Sequence, residues 1–127
     1  MKIVALLVSA VLLAAPAAAQ EPPPQFTLEH HLLLRCSAAF AIVAGEQERG
    51  VARALAYPPL GERGREYFAR TGAKLMDDLK LSREQAAASL LAEVEGQQKA
   101  SQEAADPDAY IDALMRPCLA ALEASGL

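Results

Sequence analysis

Two cysteines separated by most of the chain, Cys36 and Cys118, constrain what this sequence can fold into. Neither belongs to a Cys-x-x-Cys pair, and neither has a histidine at metal-ligand spacing, which favours a structural disulfide. A redox, metal-binding or intermolecular role for the two thiols is the alternative. A disulfide that closes so long a loop is worth roughly 4–5 kcal/mol in the chain-entropy model. The segments that contain the cysteines are therefore predicted to pack together.

The amino terminus bears on whether such a disulfide can persist. Lys2 and the uncharged apolar run Ile3–Ala15 are followed by Pro16 and three alanines before Gln20. This order of a charged, an apolar and a small-residue region predicts a cleavable signal peptide over residues 1–19. A retained anchor is the alternative, but the run is shorter than the roughly 20 residues that cross a bilayer. We therefore expect an exported, periplasmic protein with no membrane span after cleavage, in a compartment where disulfides persist.

The remaining sequence has the composition of a helical protein. Alanine and leucine are abundant and the β-branched residues are rare, which favours helices over strands. Three consecutive prolines predict an extended leader over residues 20–26, followed by one domain over residues 27–127. The fold class is predicted to be all-α, a small bundle of about four helices whose first and last members are linked by Cys36 and Cys118.

Start and stop signals place the first two helices. The first is predicted to begin after the N-cap Thr27 and to weaken at Gly45 and Gly50. Beyond them it is predicted either to continue unevenly through residues 51–55 or to break and restart there. Its inner face is predicted to contain Leu28, Leu32, Cys36, Phe40 (or Ala39) and Val43. The second is predicted from about Glu62 to Leu79, with an inner stripe of Leu60, Gly64, Phe68 (or Tyr67), Thr71, Leu75 and Leu79. Two glycines in it, Gly64 and Gly72, would allow close approach of a neighbouring helix at a cost of about 1 kcal/mol each.

The third and fourth helices have clearer signals. Ser82 and Gln85 predict a capping box at the start of the third helix, whose inner residues are Ala86, Leu90, Leu91 and Val94. Its polar second half, after Gly96, is expected to project into solvent. The fourth helix is predicted to begin at Asp106 and Pro107, with Tyr110, Leu114, Cys118 and Leu122 on one face, and to be kinked or divided by Pro117.

Charge and motifs exclude several classes of function. The chain has 12 Lys and Arg against 16 Asp and Glu, which argues against nucleic acid and anionic membranes as partners. The adjacent His30 and His31 point about 100° apart on a helix, whereas a helical metal site needs i, i+4 spacing. The serines lack the context of a nucleophile, and the aspartates lack the spacing of a calcium loop. No catalytic, cofactor-binding or metal-binding residue is predicted, and we expect the protein not to be an enzyme.

One stretch stands out as a contact surface. Arg63, Tyr67, Arg70 and Lys74 recur at helical spacing, just after the corner formed by residues 57–61. Interleaved glutamates favour an ordinary solvated face with i, i+4 ion pairs. The alternative is a surface for an unknown protein or small ligand. The candidate interaction residues are Tyr57, Leu60, Arg63, Tyr67 and Arg70.

Four segments resemble small exported proteins of unknown function from Gram-negative bacteria: Arg35–Phe40, Tyr57–Leu60, Arg65–Phe68 and Arg116–Leu119. The resemblance covers most of the mature chain and implies an exported location without an activity. The architecture is also similar to that of the HdeA-type periplasmic acid-stress chaperones, which are small, all-α and held by one disulfide, although no motif matches and this cysteine loop is longer.

These observations leave three expectations for function. The leading one is a non-enzymatic periplasmic binding or interaction module, because the scaffold carries no catalytic motif. The first alternative is an acid-stress chaperone that partly unfolds below about pH 4, where carboxylates become protonated. The second alternative is a small enzyme of unidentified class, which requires a deep pocket lined by His30 or His31 together with carboxylates.

Overall fold

The computed structural model describes residues 22–127, so the predicted signal peptide lies outside the described residues. These residues form five helices and no strand: α1 (Leu28–Glu48), α2 (Ala52–Leu55), α3 (Gly61–Leu79), α4 (Arg83–Glu103) and α5 (Pro107–Ala124). The all-α prediction is confirmed. Of the two predicted courses after Gly50, the break and restart is observed: α1 ends at Glu48, and α2 spans the four residues Ala52–Leu55.

The central helix is α1, which contacts each of the other four. Its middle is buried on all sides, because every residue from Cys36 to Phe40 is buried. A helix covered on one side only would bury every third or fourth residue. At the amino-terminal end of α1 the predicted inner face is wrong, because Leu28 is 86% exposed and Leu32 is 43% exposed. His30 and Leu34 occupy the inner positions instead.

Two apolar clusters make up the core. The large cluster joins α1, α2, α3 and α5 and contains Cys36, Ala39, Phe40, Ile42, Val43, Ala54, Leu60, Tyr67, Ile111, Leu114, Met115, Cys118 and Leu122. The small cluster lies between α1, α3 and α4 and contains Leu34, Leu75, Ala86 and Leu90. The sulfur atoms of Cys36 and Cys118 are 2.10 Å apart, so the predicted disulfide is present. It links α1 to α5 within the large cluster and leaves the small cluster without a covalent tie.

Close packing between α1 and α3 depends on small and polar side chains. A Cβ atom at Gly64 would lie 3.1 Å from the Cβ of Phe40, which is closer than ordinary side chains pack. The prediction that Gly64 permits close helix approach is therefore confirmed. Further along, the buried Ser37 hydroxyl donates to the Thr71 hydroxyl oxygen at 2.9 Å, so each of these buried polar groups has a partner.

Several helix ends follow their sequence signals. Ser82 and Gln85 form the reciprocal hydrogen bonds of a capping box at the start of α4, and Asp106 caps α5, both as predicted. Pro117 lies inside α5 without dividing it, so of the two predicted outcomes, a kink or a division, the division does not occur. Pro117 and Ala113, whose carbonyl loses its helical partner, are both exposed, so water can replace the missing hydrogen bond.

The connection between α1 and α3 is organised by one side chain, Gln47. Its Nε2 atom donates to the carbonyls of Ala54, Tyr57 and Pro58 at 3.0, 3.3 and 2.9 Å. Its Oε1 atom accepts from the amide of Leu60 at 3.1 Å. Gly50 makes the turn after α1 with φ of 71°, a left-handed conformation that glycine adopts without strain. Gln47 therefore fixes the path of the chain into α3.

Two predictions for α4 need correction. Leu91 was expected on the inner face but is 57% exposed, because α4 packs through Ala86 and Leu90. The second half was expected to project into solvent, yet the Gln97 side chain accepts a hydrogen bond from the Tyr110 hydroxyl of α5 at 2.5 Å. Within residues 22–127, no helix combines the length and apolarity required to cross a membrane.

Candidate functional site

The five predicted interaction residues do not form one surface. Leu60 is fully buried and Tyr67 is 5% exposed, because both belong to the large cluster. Leu60 cannot contact a partner, so the prediction is wrong for this residue, whereas Tyr67 and Arg70 line one cavity of about 160 Å³. Arg63 pairs with Glu123 at 2.7 Å, whereas Arg70 pairs with Glu66 on its own helix at 2.9 Å.

Tyr57 belongs to a polar cluster that holds helix ends together. Its hydroxyl donates to Asp112 of α5, and burial, with the nearby Asp112 carboxylate, raises the pKa of Tyr57 to about 12. Arg53 lies between Glu46 at 2.6 Å and Asp108 at 2.8 Å. These contacts join the end of α1, the α2 turn and the start of α5. Tyr57 therefore acts within the fold and does not present a free surface group.

The buried His30 is the most unusual polar residue of the described chain. It is 3% exposed, and both ring nitrogens have partners. The Thr27 amide donates to Nδ1 at 3.1 Å, and Nε2 lies 2.9 Å from Asp78 Oδ2. Because Nδ1 accepts, the hydrogen-bond network assigns the proton to Nε2, which donates to Asp78. A neutral imidazole satisfies every contact.

Thr27, His30 and Asp78 also have the order of a nucleophile, a base and an orienting acid. Thr27 Oγ1 lies 3.1 Å from His30 Nδ1. However, the same two residues form a capping box, in which the Thr27 side chain accepts from the His30 amide and the His30 ring accepts from the Thr27 amide. Capping therefore accounts for the geometry. The exposed His31 has no place in this arrangement.

Charges around Asp78 connect α1 to α3. Lys74 Nζ lies 2.8 Å from Asp78 Oδ2 and 3.5 Å from Glu29 Oε1. The hydrogen bonds from Lys74 and from His30 lower the pKa of Asp78. The hydrogen bond to Asp78 correspondingly raises the pKa of Lys74. The first turn of α1 and the last turns of α3 are thus joined by a polar network at the edge of the small cluster.

A groove runs along the outer side of α3. One cavity of about 250 Å³ lies between α1 and α3, and a second of about 480 Å³ lies between α3 and α4. Phe68 lines both cavities, so they lie end to end. Their α3 residues include Gly61, Arg65, Phe68, Gly72 and Met76, which recur at helical spacing. We call this surface the α3 groove.

Small residues line much of the α3 groove. Besides Gly61, Gly64 and Gly72 of α3, they are Ala41, Ala44, Gly45, Ala69, Ala73, Ala86 and Ala87. Packing does not require glycine at several of these positions. A Cβ at Gly61 would meet nothing within 4 Å, and a Cβ at Gly72 would make an ordinary 3.6 Å contact with Leu90. Glycine inside a helix costs about 1 kcal/mol relative to alanine. At Gly72 the protein therefore gives up helix stability, and the side chains that line the groove stay small.

Charged residues stand beside the α3 groove. Arg65 lines its α1 half and Arg83 its α4 half, with Glu48 in the α1 half. Within residues 22–127, neither Arg65 nor Arg83 forms an ion pair. The part of the chain that the structure describes holds no group of three or more His, Cys, Asp or Glu side chains placed to bind a metal ion. The groove thus combines an apolar floor with two available guanidinium groups.

Sequence reasoning identified part of this site. Gly64 and Gly72 were recognised as positions for close helix approach, but Gly72 faces both Leu90 and the groove. The groove itself needs the relative placement of α1, α3 and α4, which no local pattern provides. Comparison with protein-family models, curated proteins and solved structures finds no match.

Proposed function

We propose that this chain is a non-enzymatic periplasmic binding module and that the α3 groove is its binding surface. The observation that carries the proposal is the glycine lining. Gly72 lies inside α3 and Gly61 is its first residue, yet a Cβ would fit at both. Residues that weaken a helix without serving its internal packing are expected where something outside must approach the backbone closely. The predicted signal peptide and the disulfide favour the periplasmic location.

The shape of the groove favours a helix as its occupant. The stretch of α3 from Gly61 to Met76 is about 22 Å long at 1.5 Å per residue, which corresponds to about four turns of a partner helix. Open grooves between helices take amphipathic helices through anchors at i, i+3, i+4 and i+7. Lining by glycine and alanine lets two helix backbones approach closely. Phe68, between the two halves, provides an apolar contact for the partner's central side chains.

Charge specifies the flanks of that helix. Arg65 and Arg83 border the groove without ion pairs in the described chain. A partner with Asp or Glu beside its apolar stripe would place carboxylates next to these guanidinium groups. Electrostatic complementarity of this kind contributes mainly to specificity and to the association rate. The proposed partner is therefore an amphipathic helix with acidic flanks.

A pair of synthetic peptides tests this proposal. One is an alanine- and leucine-rich helical peptide of about four turns with glutamates beside its apolar stripe, and the other has lysine at every glutamate position. We expect the acidic peptide to bind at least about tenfold more tightly in low salt, as measured by calorimetry, and the difference to shrink as salt is added.

Matched variants locate the contact. Ala73→Trp fills the groove from an exposed position, whereas Ala113→Trp adds the same side chain to an exposed position of α5. Arg83→Glu reverses a groove charge, and Arg116→Glu reverses an exposed charge on α5. We expect loss of binding in the groove variant of each pair and no change in its control. Equal binding of the two peptides, or equal effects within a pair, would contradict the proposal. If lipid vesicles bind and neither peptide does, the occupant of the groove is a lipid and not a helix.

A second candidate function, an acid-stress chaperone, is favoured by the ion pairs between helices. Carboxylates of Glu46, Asp108 and Glu123 form ion pairs that join different elements, and Asp78 of α3 accepts a hydrogen bond from His30 of α1. Protonation at low pH removes these pairs, while the disulfide still holds α1 to α5. The expected result is a partly open, covalently tethered chain that exposes apolar surface.

Aggregation assays separate this candidate from the first. At pH 3, a chaperone is expected to suppress the aggregation of an acid-denatured client protein and to lose near-ultraviolet circular dichroism while it keeps helical signal. A protein that stays natively packed at pH 3 and leaves client aggregation unchanged would eliminate this function. Peptide binding to the α3 groove at neutral pH would be unaffected by that outcome.

A further inference from the structure

The capping box of α1 contains a histidine where such motifs ordinarily contain glutamate or glutamine. His30 occupies the third helical position, and its Nδ1 accepts from the Thr27 amide at 3.1 Å. Imidazole is the side chain that ordinarily changes charge between pH 5 and 8. The helix cap therefore contains a side chain that has both a neutral and a protonated form.

This cap also positions an aromatic side chain. Phe26 precedes Thr27 and packs against the small cluster, together with Phe68 and Met76. Its ring centroid lies 6.3 Å from that of His30, edge to face. The prolines before it are exposed and contribute no packing. The Phe26 ring also lies 5.7 Å from the His31 ring, and the cap formed by Thr27 and His30 fixes the backbone from which Phe26 reaches the cluster.

Protonation changes one hydrogen bond in a defined way. Nε2 already carries a proton and donates to Asp78, so a proton taken up from solvent binds to Nδ1. Nδ1 then becomes a donor, and it faces the Thr27 amide, which is also a donor. The Thr27 amide loses its acceptor, and Nδ1 turns its new proton towards the Thr27 hydroxyl oxygen, 3.1 Å away. The reciprocal bond of the capping box is lost.

The charged groups around His30 oppose one another. From α3, Asp78 faces the ring at 2.9 Å and favours the imidazolium, while Lys74, bonded to the same carboxylate, disfavours it. From α1, the positive end of the helix dipole disfavours a cation, Glu29 lies beside Lys74, and His31 is next in sequence. Protonation therefore strengthens the bond between α1 and α3 while it weakens the cap in front of α1. The change stays local.

We propose that His30 is a pH-sensitive latch whose protonation releases Phe26 from the small cluster. Phe68 and Met76 touch Phe26's cluster and also line the α3 groove, so the released surface is continuous with that groove. The segment that occupies this surface belongs to the same chain, residues 22–26. It covers the surface while Phe26 is packed and leaves it when Phe26 is released. The inference does not depend on what the groove binds.

Nuclear magnetic resonance of the purified protein between pH 8 and 5 tests the latch. We expect the Thr27 amide and Phe26 ring resonances to shift together with one midpoint. After correction for the intrinsic pH dependence, hydrogen exchange at Thr27 should be at least about tenfold less protected at pH 5, as expected for local opening. Resonances of α5 should not follow this transition.

Two glutamine variants serve as matched controls. His30→Gln keeps an acceptor for the Thr27 amide in the usual capping-box form and cannot titrate, so it should abolish the transition. His31→Gln removes the neighbouring exposed imidazole, whose ring centroid lies 5.7 Å from that of Phe26. It should change the Phe26 ring resonances at all pH values but leave the transition of the Thr27 amide intact. Phe26→Ala should bind an apolar dye equally at pH 8 and 5. A transition that persists in His30→Gln, disappears in His31→Gln, or is absent from the wild-type protein would overturn the proposal.

Discussion

The two apolar clusters of this protein are stabilised in different ways. The large cluster surrounds the Cys36–Cys118 disulfide and joins α1, α2, α3 and α5. The small cluster has four buried residues and is bordered by the His30, Asp78 and Lys74 network. Ion pairs border both regions, but only the large cluster also has a covalent bond, which is independent of pH. The comparison indicates that conditions which leave the first unchanged can open the second.

Removal of the disulfide should have the largest effect. We expect Cys36→Ser with Cys118→Ser to lower the free energy of unfolding by roughly 4–5 kcal/mol, because the bond restricts a long loop of the unfolded chain. Urea unfolding followed by circular dichroism measures this change. A loss below about 1 kcal/mol, the range of an ordinary surface change, would show that the large cluster does not depend on its covalent bond.

Truncation within each cluster should separate local from global opening. Leu75 of the small cluster and Leu114 of the large cluster are both buried, and Leu→Ala at either is expected to cost about 3 kcal/mol. The two variants should differ more in their hydrogen-exchange patterns than in their free energies of unfolding. Leu75→Ala should expose amides of α4 while those of α5 stay protected. Uniform loss of protection in both variants would show that the clusters open as one unit.

Substitution of two glycines of α3 by alanine should change the stability by smaller amounts and in opposite directions. Gly64→Ala should destabilise by about 1–3 kcal/mol, because the new Cβ would press on Phe40 in the tightly packed contact between α1 and α3. Gly61→Ala should stabilise by about 0.5–1 kcal/mol, since its Cβ meets nothing. Thermal unfolding measures both. Stabilisation by Gly64→Ala would contradict the close approach of the two helices.

The smallest effect concerns pH and the Asp78 carboxylate. Because the folded state lowers the pKa of Asp78, its contribution is fully present above the ordinary aspartate pKa and is lost as the pH falls through the lowered value. Asp78→Asn should therefore be less stable than wild type at pH 7 and match it at strongly acidic pH. Urea midpoints across this range provide the measurement. A difference that grows towards acid would reverse the assigned sign.

The sequence predicted features that depend on neighbours along the chain. The caps at Ser82 and Asp106 follow from local hydrogen bonding, and the all-α class follows from composition. Features that depend on several helices were missed. Leu28 and Leu32 fit an apolar period but point outwards, because α1 is enclosed by four helices and periodicity cannot orient an enclosed helix. Leu91 points outwards because α4 packs through Ala86 and Leu90. His30 was missed because its role needs Asp78 from α3, and the α3 groove because it is formed between helices.

The position of the disulfide has a consequence for proteolysis. Because Cys36 and Cys118 join the first and last helices, one peptide-bond cleavage anywhere between them leaves both fragments attached. The turn at residues 49–51 and the bend at residues 104–106, where a protease would cut first, both lie in that interval. A nicked molecule would migrate as an intact chain until reduced, and its helices would stay close enough to reassemble.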